Sequence, residues 1–473
     1  MLKRNLIACA IMLSFVRPAL AQDVELVKIR AEIEQLKQAY DKRIQMLEKR
    51  LSEAESKAGK AEQNAARAET AVVKSVSRQA SENAFNPAIS LVLQGTLGNF
   101  SRNPDTFGIG GFIPPNRDRA EIEPGRRGFS LGESELNIAA NIDPYFRGSL
   151  TAAFTPENSV ELEEAHVSST VFGHGLTIKA GRFFSGIGYL NEIHQHAWDF
   201  VDAPLAYQAL LGTGSRGNFS DDGVQLKWIA PTDLFLEFGA EAGRGHSFPG
   251  SDRNKNGIGS GTLYAHVGDD IGTSYAWRAG LSYLRTSPRG RPFDAVDAAG
   301  TPVTNSFSGR SHLWIADFLL KWAPQGNATY TNFKLQGEYL RRRESGALTF
   351  DQDGATTAGP LAGNYSALQS AWYLQGVYQF LPRWRTGLRY DRLNSGTPNI
   401  GQVASGALDA ANFPALAAND PRRHSVMFDY SPSEFSRIRL QWARDESRSG
   451  RVNDNQVFIQ YIHTLGAHGA HRF

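Results

Sequence analysis

From Pro87 onward, apolar and polar residues alternate with a period of two, and the alternation is interrupted by clusters of turn residues. Such alternation predicts strands with one apolar and one polar face. The runs are Ile89 to Phe100, Phe129 to Ile142, Tyr145 to Thr155, Val160 to Val171, Leu176 to Phe183, Gly223 to Ala230, Leu234 to Gly243 and Gly261 to Val267. They continue with Ser274 to Leu284, His312 to Ala323, Asn332 to Arg342, Ala371 to Leu381, Trp384 to Leu393, Arg423 to Tyr430, Phe435 to Asp445 and Gln456 to Leu465, sixteen in all to within one hairpin. Before them, from Gln22 to about Ala80, apolar residues recur at alternating steps of three and four, from Leu26 and Ile29 to Ala68 and Val72. That spacing is a heptad seam, with one stutter at Leu36, Tyr40 and Ile44, and predicts a self-associating coiled coil.

The connections sort by parity. Short turns carry Asp143-Pro144, Gly173 to Gly175, Pro231 to Asp233, Gly268 to Gly272, Leu381 to Arg383 and Ser431 to Glu434, with Pro324 to Tyr330 slightly longer. Between them fall long segments near 101–128, 184–222, 244–260, 285–311, 343–370 and 394–422, with short exceptions at Pro156 to Ser159 and Glu446 to Asn455. Short turns at one end and long loops at the other are the pattern of an outer-membrane barrel, and a soluble sandwich has no reason to show it. The expected fold is therefore all-β: a closed antiparallel transmembrane barrel of about sixteen strands over residues 87–473, preceded by the helical segment 22–80. Closure is required because an open sheet edge in hydrocarbon leaves a row of backbone groups unpaired. An even strand count puts both barrel ends on the short-turn side, so the coiled coil is expected in the periplasm.

Parity also assigns faces. Trp384, Leu388 and Tyr390, then Ile438, Leu440 and Trp442, then Tyr275, Trp277, Leu281 and Tyr283 fall on the lipid side. The same rule turns ten bases inward, Arg147, Lys179, Lys227, Arg278, Lys321, Lys334, Arg385, Arg389, Arg437 and Arg439. Seven acids join them: Glu133, Glu135, Glu237, Glu241, Asp317, Glu338 and Asp391. An Arg or Lys at the lipid midplane costs about 2–4 kcal/mol, so inward sorting predicts a water-filled lumen. In the closing strand Val457, Ile459, Tyr461 and Leu465 face lipid, Gln456, Gln460 and Thr464 face inward, and Phe458 and Ile462 break the pattern; the terminal Phe473 fits a barrel-closing strand.

Composition changes this picture little. The first 21 residues, with Lys3, Arg4, an apolar run from Leu6 to Val16 and Ala19-Leu20-Ala21, are expected to be a Sec signal peptide cut after Ala21. It would remove three bases and no acid from totals of 50 and 48, leaving a nearly neutral chain with no attraction to nucleic acid. It would also remove Cys9, the single cysteine, and with it disulfide and thiol chemistry. Mean hydropathy is −0.36, and after the signal no apolar run is long enough for a transmembrane helix.

One loop, 184–222, is too apolar to stand in water: it holds Tyr189, Leu190, Trp198, Phe200, Leu205, Tyr207, Leu210 and Leu211, with Arg216 as its base beyond the first residues. It is expected to fold into the barrel and constrict it, the alternative being to pack outside as a cap or against a neighbouring subunit. With the signal peptide, the heptad segment, the strand number and the terminal Phe473, this loop makes the chain resemble the phosphate- and polyphosphate-selective porins of Gram-negative outer membranes. The resemblance implies a homotrimer with one pore per subunit, a periplasmic N-terminal coiled coil, and passive diffusion of small hydrophilic solutes or anions without a cofactor.

Two other classes stay open. His194 and His196 stand two apart with Asp199 and Asp202 behind them, and the tail adds His463, His468 and His471; imidazole with carboxylate suits zinc, which would suit an outer-membrane metal uptake protein or receptor. The coiled coil could also serve as a tether to peptidoglycan. Other chemistries find no support. The glycine-rich stretches at Gly108 and Gly257 precede no helix in a strand-helix-strand unit, the segment from Ser251 lacks the twelfth-position glutamate of a calcium loop, and no catalytic set identifies an enzyme.

Overall fold

The computed structural model describes residues 87–115, 124–156, 158–169, 171–213, 218–254, 256–357 and 359–466. Within residues 1–84, a separate unit, it describes Glu34, Lys42, Gln45, Met46 and Lys49, all helical and exposed. The signal peptide, the rest of the coiled-coil expectation, Arg216, His468, His471 and Phe473 lie outside the described residues.

Residues 85–473 hold one sheet closed on itself as a sixteen-stranded antiparallel barrel. Its strands are β1 (Ala88–Phe100), β2 (Gly128–Leu131 continued as Ser134–Asn141), β3 (Phe146–Phe154), β4 (Val160–Ser169), β5 (Leu176–Phe184), β6 (Ser220–Ile229), β7 (Phe235–Gly243) and β8 (Ser260–Ile271). The second half is β9 (Tyr275–Thr286), β10 (Pro302–Trp322), β11 (Asn332–Phe350), β12 (Leu361–Leu381), β13 (Trp384–Asn394), β14 (Arg422–Ser433), β15 (Ser436–Asp445) and β16 (Asp454–Gly466). Each pairs with its chain neighbours, and β16 closes on β1 from Ser90 opposite Gly466 to Phe100 opposite Gln456. Every edge is thereby paired, as a hydrocarbon environment requires.

The outward face is apolar and banded. Near the short turns it carries Tyr275, Trp384, Tyr378 and Phe435, and higher up Trp314, Tyr339, Trp372 and Trp442, all at least 37 % exposed. The nine residues from Tyr275 to Tyr283, tilted as barrel strands are, span about 20 Å, close to the apolar band of an outer-membrane barrel. Leu388 lies inside this band at 64 % exposure, opposite Gly376 and Val426. Replacing Leu388 with Arg is expected to lower stability by about 2–4 kcal/mol in guanidinium unfolding from lipid bilayers.

Two boundaries differ from the sequence expectation. The turn placed at Gly268 to Gly272 is strand as far as Ile271, and the reversal falls at Gly272, whose φ of +62° a glycine adopts freely. The segments 285–311 and 343–370 are not simply loops: β10, β11 and β12 run on through much of them, reaching 21, 19 and 21 residues. Along these extensions the apolar residues change sides. Phe307, Leu348 and Tyr365 turn inward into a core with Ile113, Phe413 and Leu416, which come from the long connections after β1 and β13. Arg310, Arg341 and Arg343 point the other way and are exposed. Above the apolar band water lies outside and packed loops inside, so the preferred faces exchange.

Candidate functional site: a charged lumen crossed by a loop

The connection from Ser185 to Phe219 enters the barrel. Its neck is tied by Asn191, whose Nδ2 donates to the carbonyls of Ser185 and Phe219 (2.8 and 2.9 Å) while its Oδ1 accepts from the Phe219 N–H (2.9 Å). Farther on, Pro204 starts a short helix, α1 (Leu205–Leu211), that ends on Gly212 in the left-handed conformation. All seven residues of α1 are buried. The loop buries Ile187, Leu190, Trp198 and Tyr207 against inward Leu313, Ile315, Leu340, Tyr373 and Leu393, and Phe107, Ile109 and Phe112 from the β1–β2 connection join the same cluster. Tyr189 is 5 % exposed under the guanidinium of Arg278, and Phe200 is 1 % exposed under that of Arg389.

Polar groups of the wall meet the loop in kind. Glu338 accepts from the Leu190 N–H (3.0 Å), the Tyr207 hydroxyl (2.7 Å) and the Tyr373 hydroxyl (2.6 Å). Asp391 accepts from the Leu205 N–H at 2.9 Å, and Glu241 from the Gly186 N–H at 2.9 Å. Arginines answer the loop's acids and carbonyls. Asp202 pairs with Arg389 and Arg423, both at 2.8 Å, and accepts from Gln441 Nε2 at 2.7 Å. Asp199 pairs with Lys334 and with Arg385 at 3.2 Å. Arg439 donates to the Trp198 carbonyl at 2.8 Å and pairs with Asp429 at 2.8 Å. On the opposite wall, His194 and His196 meet Glu135, Glu163 and Glu164 of β2 and β4. The loop thus crosses the lumen, presenting imidazoles to an acidic wall and carboxylates to a basic one.

The seventeen inward charges named from the sequence differ in exposure. Glu133, Glu135, Glu237, Asp317, Glu338 and Asp391 are buried, as are Lys179, Arg389 and Arg439, while Glu241 is partly exposed. Seven bases keep contact with solvent: Arg147, Lys227, Arg278, Lys321, Lys334, Arg385 and Arg437. Each lies within four residues of the short-turn end of its strand, so together they form a belt on that side of the loop. Its side-chain exposures are 16 % at Lys227, 23 % at Lys334, 22 % at Arg385 and 27 % at Arg437. Acids lie at that level too: Glu237, held by Lys227 at 3.3 Å and by His266 at 3.0 Å, Asp429, opposite Arg385 and paired with it, and Asp270, exposed on the inward parity of β8. Beside the loop, against β1 to β4, lies a cavity of about 610 Å³ lined by Gln94, Glu133, Glu161, Gln195, Asp202 and Phe458 among others.

Sequence parity missed several participants. Arg423, Asp429, Asp445 and Arg342 are inward and between 0 and 1 % exposed, yet were assigned to strand ends or left unassigned. Arg342 donates to Gln369 at 2.7 Å and to the Leu210 carbonyl at 3.4 Å. Glu163 and Glu164 were missed because a register shift opposite Thr151 and Ala152 turns two successive residues toward the lumen.

No known family profile matches the chain. An uncharacterized protein of Aquifex aeolicus (strain VF5) is 28 % identical over 426 residues, covering 83 % of this chain and 81 % of its own length. Among solved structures, a loop L8 deletion mutant of OmpT, an outer membrane protein of Vibrio cholerae, aligns with a TM-score of 0.48 and 11 % identity over 80 % of this chain and 99 % of its own. OprB of Pseudomonas putida aligns at 0.47 and 13 % identity over 82 % and 96 %. An anion-selective porin from Comamonas acidovorans aligns at 0.47 and 9 % identity over 80 % and 99 %.

Proposed function

We propose that this chain is an outer-membrane porin, a channel and not an enzyme, through which small hydrophilic solutes diffuse passively with a weak preference for anions, inorganic phosphate among them. The observation that carries the reading is the unequal exposure of the inward charges: water in the short-turn half meets seven bases, while most of the acids are buried. A low-dielectric wall lined by one sign of charge concentrates the opposite ion. The banded outer face and the closed sheet support placement in a lipid bilayer; that the short turns and segment 22–80 face the periplasm is part of the proposal. Assembly as a homotrimer, and contact of segment 22–80 with peptidoglycan, belong to the same proposal.

The reading is tested by reconstituting the protein in a planar bilayer and measuring reversal potential across a salt gradient. An anion preference is expected, weakened or inverted when Lys321 and Lys334 are both replaced by Glu. Absence of channels would overturn the porin reading, and a cation preference in the unaltered protein would overturn the role given to the basic belt.

A further inference from the structure

We infer that Glu135, Glu163 and His194 form a binding site for a zinc-class divalent ion, which fastens the crossing loop to the barrel wall. His194 is on the loop, Glu135 on β2 and Glu163 on β4. An ion held by all three therefore joins the loop to two strands. His194 Nδ1 lies 3.2 Å from Glu135 Oε2 and 3.3 Å from Glu163 Oε2, and the three donor atoms all fall within 4.8 Å of one another. Ligand atoms about 2.0–2.2 Å from a tetrahedral zinc stand about 3.3–3.6 Å apart, so Nδ1 is already near binding separation from both carboxylate oxygens.

The surroundings also suit a ligand set. Despite their closeness, His194 Nδ1 and Glu163 Oε2 are buried without a hydrogen bond. The other imidazole nitrogen of His194, Nε2, lies 3.1 Å from Glu164 Oε2. With a metal bound, a carboxylate in that position would hold the proton on Nε2 and free Nδ1 for the ion between Glu135 and Glu163, the outer arrangement typical of metal-bound histidine. Glu135 is steadied likewise, its Oε1 lying 2.8 Å from His196 Nδ1.

A second observation points to a cation independently. Glu133 is 5 % exposed and its carboxyl lies within hydrogen-bonding reach of that of Glu163, a contact that calls for either a shared proton or a cation. Four carboxylates, Glu133, Glu135, Glu163 and Glu164, face the imidazoles of His166, His194 and His196 and the ammonium of Lys179. Burying so many acids is costly unless a cation shares their charge. The imidazole nitrogen selects zinc-class ions over magnesium or calcium, which prefer all-oxygen sites.

The test is equilibrium dialysis of the full chain, folded in detergent and stripped with chelator, against Zn²⁺. About one tightly held zinc per chain is expected, unaffected by excess Mg²⁺. His194→Gln and Glu163→Gln are each expected to weaken it at least about tenfold, and Glu164→Gln, which leaves all three donors in place, about tenfold. Folding of each variant is checked by its heat-modifiable mobility on gels, and should one of the donor variants fail to fold, Glu164→Gln decides. His463→Gln is expected to leave the affinity unchanged. No tightly bound zinc, equal competition by Mg²⁺, or unchanged affinity in the folded His194 and Glu163 variants would overturn the site. Because zinc is counted on the folded protein, these outcomes do not depend on whether the lumen conducts.

Discussion

Excising Ile193 to Gly214 is expected to raise single-channel conductance at least about threefold, since a sixteen-stranded barrel without its inward loop encloses an aqueous channel. The segment contains α1, Trp198 and Phe200, and its removal withdraws the buried partner of Leu313, Ile315, Leu340 and Leu393. The barrel itself should survive, because each strand takes its backbone partners from neighbouring strands and β16 still closes on β1. A heat-modifiable gel shift establishes that closure before conductance is measured. The excision also removes Asp199 and Asp202, which neutralise Lys334, Arg385, Arg389 and Arg423, so anion preference should rise along with conductance. Unchanged conductance in a folded variant would take the loop out of the conducting path.

The barrel was legible in the chain because lipid imposes a simple rule on alternate residues. Trp384, Leu388, Ile438, Leu440 and Trp442 all face out as parity places them, with exposures from 42 to 64 %. Phe458 and Ile462, which break the alternation, are buried at 1 and 6 %, and Phe458 packs edge-on against Phe100 with ring centroids 5.2 Å apart. Where the rule failed, its physical premise had changed. Beyond the lipid, Phe307, Leu348 and Tyr365 turn inward because packed loops, not water, lie there, and the upper parts of β10 to β12 therefore looked like loop. The histidine pair His194 and His196 was visible, but its partners were not: Glu135 is about sixty residues upstream, and Glu163 and Glu164 come inward together only through a local irregularity in β4. Inward direction likewise does not reveal exposure. Arg385 and Arg389 share a face of β13, yet Arg385 keeps 22 % of its side chain in solvent while Arg389 keeps 1 %, a difference set by where the loop lands.

Replacing Asp202 with Asn is expected to loosen the docked loop by about 3 kcal/mol, the lower end of the cost of breaking a buried ion pair. The side chains of Arg389 and Arg423 are each 1 % exposed, and both lose their 2.8 Å partner. They are not wholly stranded. Arg389 keeps Asp391 at 3.0 Å, and Arg423 keeps Asp445 at 3.5 Å and Asp391 at 3.7 Å, which is why the upper end of the range is not expected. With its oxygen kept where Gln441 and Arg389 donate, the amide presents donor hydrogens to Arg423, so the local network is disturbed beyond the lost charge. The effect should be confined to the loop, because none of the backbone pairs that close the barrel involves Asp202. Two measurements separate it from general destabilisation: faster limited proteolysis within 185–219 at unchanged barrel mobility on gels, and rapid conductance fluctuations in otherwise open channels. Asp252→Asn supplies the contrast. Its 2.6 Å pair with Arg244 is 70 and 49 % exposed, where water screens the charges, and a change of no more than about 1 kcal/mol is expected. If the two substitutions loosened the loop equally, the buried clamp would not be what holds the loop across the lumen.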